Sequence, residues 1–166
     1  MKSRSFTKTD PQSHQGDNTW FTPREIIDRL EPFDVDVCTV SWRPYDTAKR
    51  HIEHDKGQDA LEVEWDGFVW MNPPYGKEID PFIEKFLEHG DGIGLVFARM
   101  GTKWMHEFLS QGDAVFFLRK RIKFINRNME VSSNAGCDSC LLLMGEKAIR
   151  CVKNCGLDGK LICIKG

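Results

Sequence analysis

The chain has 166 residues, 40% hydrophobic and 29% charged, which suits one folded domain of ordinary size and excludes a membrane-embedded protein. A formal net charge of −2 excludes a protein that coats nucleic acid through many phosphate contacts, so any such contact has to be local. No apolar run approaches the ~18 residues of a membrane span, and no apolar stretch follows Met1-Lys2-Ser3-Arg4-Ser5; no membrane association and no secretory leader are expected, and a cytoplasmic setting follows.

Residues 1–17 mix Ser, Thr, Lys, Gln and His without periodicity and are expected to form a flexible tail, leaving 18–166 as a single domain. Thr22 is placed to cap a helix that has Pro23 at its first position and runs through Ile26, Ile27 and Leu30 to a stop at Pro32. Phe33-Asp34-Val35-Asp36-Val37-Cys38 alternates as a strand, with the valines on one face and Asp34 and Asp36, the latter at the strand end, on the other. Residues 39–66 show only weak patterning and read as short helical or irregular pieces. Strands follow at 68–71, 93–98, 114–118 and 140–144, with helices at 79–89 and 102–110 between them. Segments 148–153 and 161–165, joined across Asn154-Cys155-Gly156-Leu157-Asp158-Gly159, predict a C-terminal antiparallel hairpin. The alternation predicts an α/β fold, a mostly parallel sheet flanked by helices.

Six cysteines raise the question of a metal. Cys137 and Cys140 form a CxxC, and Cys151 and Cys155 follow with three residues between them. Cys140, however, opens the apolar run Leu141-Leu142-Leu143-Met144, where a thiol behaves as a small hydrophobe, and Cys38 and Cys163 lie in separate strand-like runs. Reduced, mostly buried thiols are expected, without metal or disulfide.

Asn72-Pro73-Pro74-Tyr75, arriving off the apolar run Phe68-Val69-Trp70-Met71, carries the most chemistry. The exocyclic amine of adenine, like a carboxamide nitrogen, shares its lone pair with a π system and is a poor nucleophile. The Asn72 side-chain oxygen and the Pro73 carbonyl can both accept from one NH2 group, favouring the pyramidal geometry that develops as the nitrogen attacks. Pro73 and Pro74 fix their own φ and restrict the residue before each, so the acceptors are held in place. Tyr75 offers a ring for stacking a flat base, and Gly76 lets the backbone turn away. A strand, this loop and then a helix form the setting in which ligand sites develop at strand carboxyl ends.

A nucleotide-like cofactor would be held near the early strands, although no G-x-G-x-x-G is present. Asp36 is placed to meet an ammonium group and Asp59 to accept from an adenine amine; solvated turn aspartates are the ordinary alternative. Arg119, Lys120, Arg121, Lys123 and Arg127 cluster around Phe117, Phe124 and Ile125, and form either a phosphate-facing edge or a solvated strand end. Trp20, Trp65, Trp70 and Trp104 are expected to pack.

Taken in order, Trp20-Phe21-Thr22-Pro23, Phe33-Asp34-Val35-Asp36-Val37, Asp59-Ala60-Leu61, Trp65, Val69-Trp70-Met71-Asn72-Pro73-Pro74-Tyr75-Gly76 and Ala98-Arg99-Met100-Gly101-Thr102-Lys103-Trp104 make a sequence of landmarks. With Arg121-Ile122-Lys123-Phe124, it resembles the phage-type DNA N6-adenine methyltransferases of the Dam group over about residues 18–144. The resemblance implies a Rossmann-like methyltransferase fold using S-adenosylmethionine, bound between Thr22, Pro23, Asp36, Asp59 and Asn72. It implies catalysis by Asn72, Pro73, Pro74 and Tyr75 on a flipped adenine of DNA. It also places Arg99, Lys103, Arg119, Arg121 and Lys123 near phosphates, with Phe124 as the opposite wall of the base site. No protein partner is implied. The same motif also serves RNA-adenine and protein-glutamine methyltransferases, and a catalytically silent DNA-binding module would keep the fold without binding the donor.

Overall fold

The computed structural model describes residues 19–30, 32–132 and 136–165; the expected flexible tail over residues 1–17 lies outside them. A short helix α1 (Arg24–Ile27) leads into strands β1 (Phe33–Thr39) and β2 (Ala48–Glu53) and a 3-10 turn (His54–Lys56). Then come β3 (Val69–Met71), helix α2 (Ile79–His89), β4 (Gly92–Phe97), helix α3 (Lys103–Gln111), β5 (Ala114–Leu118), β6 (Ser139–Met144), helix α4 (Gly145–Asn154) and β7 (Gly159–Cys163). One seven-stranded sheet joins the strands in the order β2-β1-β3-β4-β6-β5-β7.

Side-chain alternation divides the core between the two faces of this sheet. Phe68 and Trp70, Ile93 and Leu95, and Leu141 and Leu143 pack on one face with Ile26, Ile27 and the α4 residues Ala148, Cys151 and Val152. Val69 and Met71, Val96, and Cys140 and Leu142 pack on the other with Ile79, Ile83 and Phe86 of α2 and Trp104, Met105 and Phe108 of α3. Strands covered on both faces read as continuous apolar runs, which is why β3, β4, β5 and β6 are conspicuous in the sequence. α2 ends where the sequence suggests: its C-cap Gly90 has φ +76° and donates to Phe86 O at 3.1 Å.

Four expectations are corrected. Parallel order holds for only half of the pairings: β2, β1, β3 and β4 run parallel, whereas the β4–β6, β6–β5 and β5–β7 pairings are antiparallel, so that β6 and β7 run against the other five strands. The long connection after β5 returns to the edge it left, so β6 runs back between β4 and β5. The C-terminal hairpin is absent. Residues 145–154 form helix α4, started by Gly145 at φ +85°, whose N–H donates to Asp113 Oδ2 at 2.7 Å, and β7 pairs with β5 instead. α1 is one turn long, has Pro23 rather than Thr22 at its N-cap position, and stops before Leu30. β1 continues past Asp36 to Thr39, with an irregularity in its pairing to β2 between these two residues.

The path of the chain sets where a ligand can bind. It leaves β1 for β2 on one side, then crosses to β3 on the other. Such a reversal opens a crevice beyond the carboxyl ends of the central parallel strands.

Candidate active site

Asn72-Pro73-Pro74-Tyr75 occupies this crevice directly after β3. Pro73 is buried, Asn72 and Pro74 are half-buried and Tyr75 is 39% exposed. Gly76 turns the chain at φ +94° before α2 begins, a conformation that only glycine adopts readily. The Asn72 side chain makes no hydrogen bond among the described residues and lines a cavity of about 1030 Å³. Its amide oxygen is therefore uncommitted.

Tyr75 stacks on Phe97 with ring centroids 4.3 Å apart and planes 18° from parallel. Phe97 closes β4, the neighbour of β3, so adjacent strands deliver both rings to one edge of the sheet. One face of Tyr75 is thereby fixed. Burial holds its hydroxyl above the ordinary range, which keeps it neutral. Phe124 does not form an opposing wall: its ring is 7% exposed, packs in the core and meets Phe97 edge-on at 6.3 Å.

The same cavity is lined by Thr22, Asp36 and Asp59, far apart in sequence but converging here. Asp36 is 3% exposed; its Oδ1 accepts from the Cys38 N–H at 3.1 Å and its Oδ2 from the Thr47 hydroxyl. Burial pushes its carboxyl up to about 6, against these two hydrogen bonds and the nearby Arg43 charge. Thr47 is itself held by His51, whose Nε2 accepts from the Thr47 N–H at 3.2 Å. Accepting requires a neutral ring, and burial together with the Arg43 charge lowers the His51 pKa accordingly. Asp59 is exposed and caps its own turn, Oδ1 accepting from the Leu61 N–H at 2.8 Å. Thr22 is 4% exposed; its carbonyl accepts from the Tyr45 hydroxyl, while its own hydroxyl has no partner among the described residues. Pro23 is half-buried and lies outside the cavity lining.

The predicted phosphate-facing residues are all exposed and lie outside the lining. The Arg99 guanidinium sits 6.0 Å from the Phe97 ring centroid, just beyond β4, whose carboxyl end lies on the same side of the sheet as that of β1. Arg119 follows the end of β5, which runs in the same direction as β4, so residues 119–123 leave that edge too. Arg119 faces Asp158 at 4.0 Å and Arg121 pairs with Asp138 at 2.9 Å; Lys103 opens α3 and Lys123 lies in the loop beyond. Exposed pairs of this kind contribute little to stability.

Sequence reasoning missed Phe97, Tyr45 and Thr47. Phe97 ends an apolar strand and is indistinguishable there from core, while Tyr45 and Thr47 lie in the weakly patterned stretch before β2. All six cysteines are unbridged, with Cys140, Cys151 and Cys155 buried, and no metal-binding group of His, Cys, Asp or Glu occurs among the described residues.

A helix-flanked seven-stranded sheet with a rigid Asn-Pro-Pro-Tyr loop at its carboxyl edge has the architecture of a methyltransferase-like α/β protein. A model of the DNA N-6-adenine-methyltransferase (Dam) family matches residues 8–154, and the chain belongs to that family. No curated protein and no solved structure matches it significantly.

Proposed function

We propose that the protein transfers a methyl group from S-adenosylmethionine to the exocyclic N6 amine of adenine at sites in DNA, on a Rossmann-like scaffold. The observation that carries this reading is the convergence of the uncommitted Asn72 side chain, the Tyr75 ring and the acidic residues Asp36 and Asp59 on one cavity of about 1030 Å³. Its size suits a nucleoside-like donor and an inserted base together.

The donor fits the residues present. Asp36 and Asp59 are acceptors for its ammonium and adenine amine, Val37, Ile52 and Phe82 provide apolar wall, and the buried Thr22 hydroxyl is a polar group still lacking a partner among the described residues. When bound, S-adenosylmethionine supplies a methyl group on a positively charged sulfur. Asn72 Oδ1 and the Pro73 carbonyl accept from the adenine amine and strengthen those bonds as charge develops on nitrogen. Tyr75, backed by Phe97, holds the base plane and offsets part of the cost of removing the base from its stack. The methylated nitrogen then releases a proton to water or through Asn72.

The test is titration of the protein with S-adenosylhomocysteine, followed by incubation with methyl-labelled donor and, in parallel, unmodified DNA, RNA or protein. Binding followed by labelling of the DNA is expected. Binding with labelling of RNA or protein instead would move the acceptor, and no binding at all would favour a silent module.

A further inference from the structure

Lys85 of α2 does not line the cavity, yet its ammonium is committed to the turn that does. Its Nζ donates to Ala60 O at 3.0 Å, Leu61 O at 2.9 Å and Val63 O at 2.7 Å. Within that turn the Glu62 and Val63 N–H groups donate to Asp59 O at 3.0 and 2.8 Å, and Asp59 Oδ1 caps Leu61. So short a helical turn leaves its last carbonyls without backbone partners, and a cation there satisfies them and complements their dipole. Trp65 completes the fastening: its Nε1 donates to Ala60 O at 2.8 Å, and its ring centroid lies 5.1 Å from the Lys85 ammonium. The turn carries Asp59, Ala60 and Leu61 into the cavity, and α2 also presents Pro81 and Phe82 there.

We propose that Lys85 is a positioning residue for the methyl donor, holding the Asp59 turn against α2 so that the donor wall and the Asn72 loop keep a fixed relation. The proposal rests on the reading of the cavity as the donor site. Three converging carbonyls suit the three donors of an ammonium better than a planar guanidinium, so arginine restores only part of the function.

The experiment compares Lys85→Met, which keeps the aliphatic stem, with Lys85→Arg and Trp65→Phe, which removes the indole donor to Ala60. S-adenosylhomocysteine affinity is measured by titration, and kcat, donor KM and DNA KM by methyl transfer to DNA. The donor KM and the dissociation constant of S-adenosylhomocysteine rise about tenfold in Lys85→Met, with an intermediate rise in Lys85→Arg and Trp65→Phe, while kcat at saturating donor and DNA KM stay within about twofold. A purely structural role would instead reduce the folded, active fraction, lowering apparent kcat while donor KM, DNA KM and the dissociation constant stay unchanged, and would overturn the proposal. Should Lys85→Met not fold, the other two variants decide the matter by the same split. Failure of the unsubstituted protein to bind S-adenosylhomocysteine overturns the reading of the cavity and this proposal with it. Tight binding by the unsubstituted protein that is unchanged in the folded variants overturns this proposal alone.

Discussion

Asn72 sits where a strand ends and two prolines begin, so its backbone is held while its side chain stays uncommitted. An acceptor aimed in advance costs no reorganisation when charge develops, and its removal is felt in the transition state more than in the ground state. Asn72→Ala is therefore expected to lower kcat by about 10²-fold or more in a steady-state transfer assay, with S-adenosylhomocysteine affinity changed far less. Asp36 makes a second prediction, on pH. Its carboxyl titrates at about 6 in the fold against an ordinary 3.8, so between these values the native protein holds a proton that the unfolded chain has released. Asp36 thus adds stability as pH falls through about 6 and loses that contribution as pH rises through it. Binding of a donor ammonium runs the other way, because it needs the carboxylate. S-adenosylhomocysteine titrated at pH 5 and at pH 7.5 should bind more weakly at the lower pH, and Asp36→Asn should flatten that difference.

Elements were readable in the sequence where burial on both faces wrote them as apolar runs. β5 and α2 fall on their expected residues, whereas β2 was not visible: it is an edge strand, Ala-Lys-Arg-His-Ile-Glu, with Ile52 its one fully buried side chain. The stretch 148–153 suggests one arm of a hairpin because a turn-rich segment follows it, although Ala148, Cys151, Val152 and Cys155, all buried, follow helical spacing. The pairing of β7 with β5 depends on a long-range choice of neighbour that no local pattern encodes. The Asn72 loop was legible because its chemistry lies within a few consecutive residues, whereas Phe97 joins the site only through sheet pairing. The parallel β3–β4 pairing yields a stability prediction. A Cβ at Gly92 would lie 2.5 Å from Val69 O and 2.6 Å from Val69 Cγ2, whereas one at Gly101 would meet nothing within 4 Å. Gly92→Ala should cost upwards of ~2 kcal/mol in urea denaturation, with Gly101→Ala close to neutral.

At the scale of the whole molecule, a chain of net charge −2 gathers Arg99, Arg119, Arg121 and Lys123 along the sheet edge that also carries the cavity. That arrangement favours a short contact with phosphates around one base rather than a long electrostatic track. Replacing Arg119 and Lys123 together by alanine should weaken DNA binding similarly on all sequences and reduce the slope of log affinity against log salt by about 2, measured by fluorescence anisotropy across a salt series. An unchanged slope would remove these residues from the interface. The most direct test of the central claim is to incubate the unsubstituted protein and Asn72→Ala with S-adenosylmethionine and unmodified DNA, digest the DNA, and identify the modified nucleoside by mass spectrometry. N6-methyladenine formed by the unsubstituted protein and lost in Asn72→Ala is the predicted result; a folded protein that binds the donor and leaves the DNA unmodified, or that modifies it equally well without Asn72, would contradict the account.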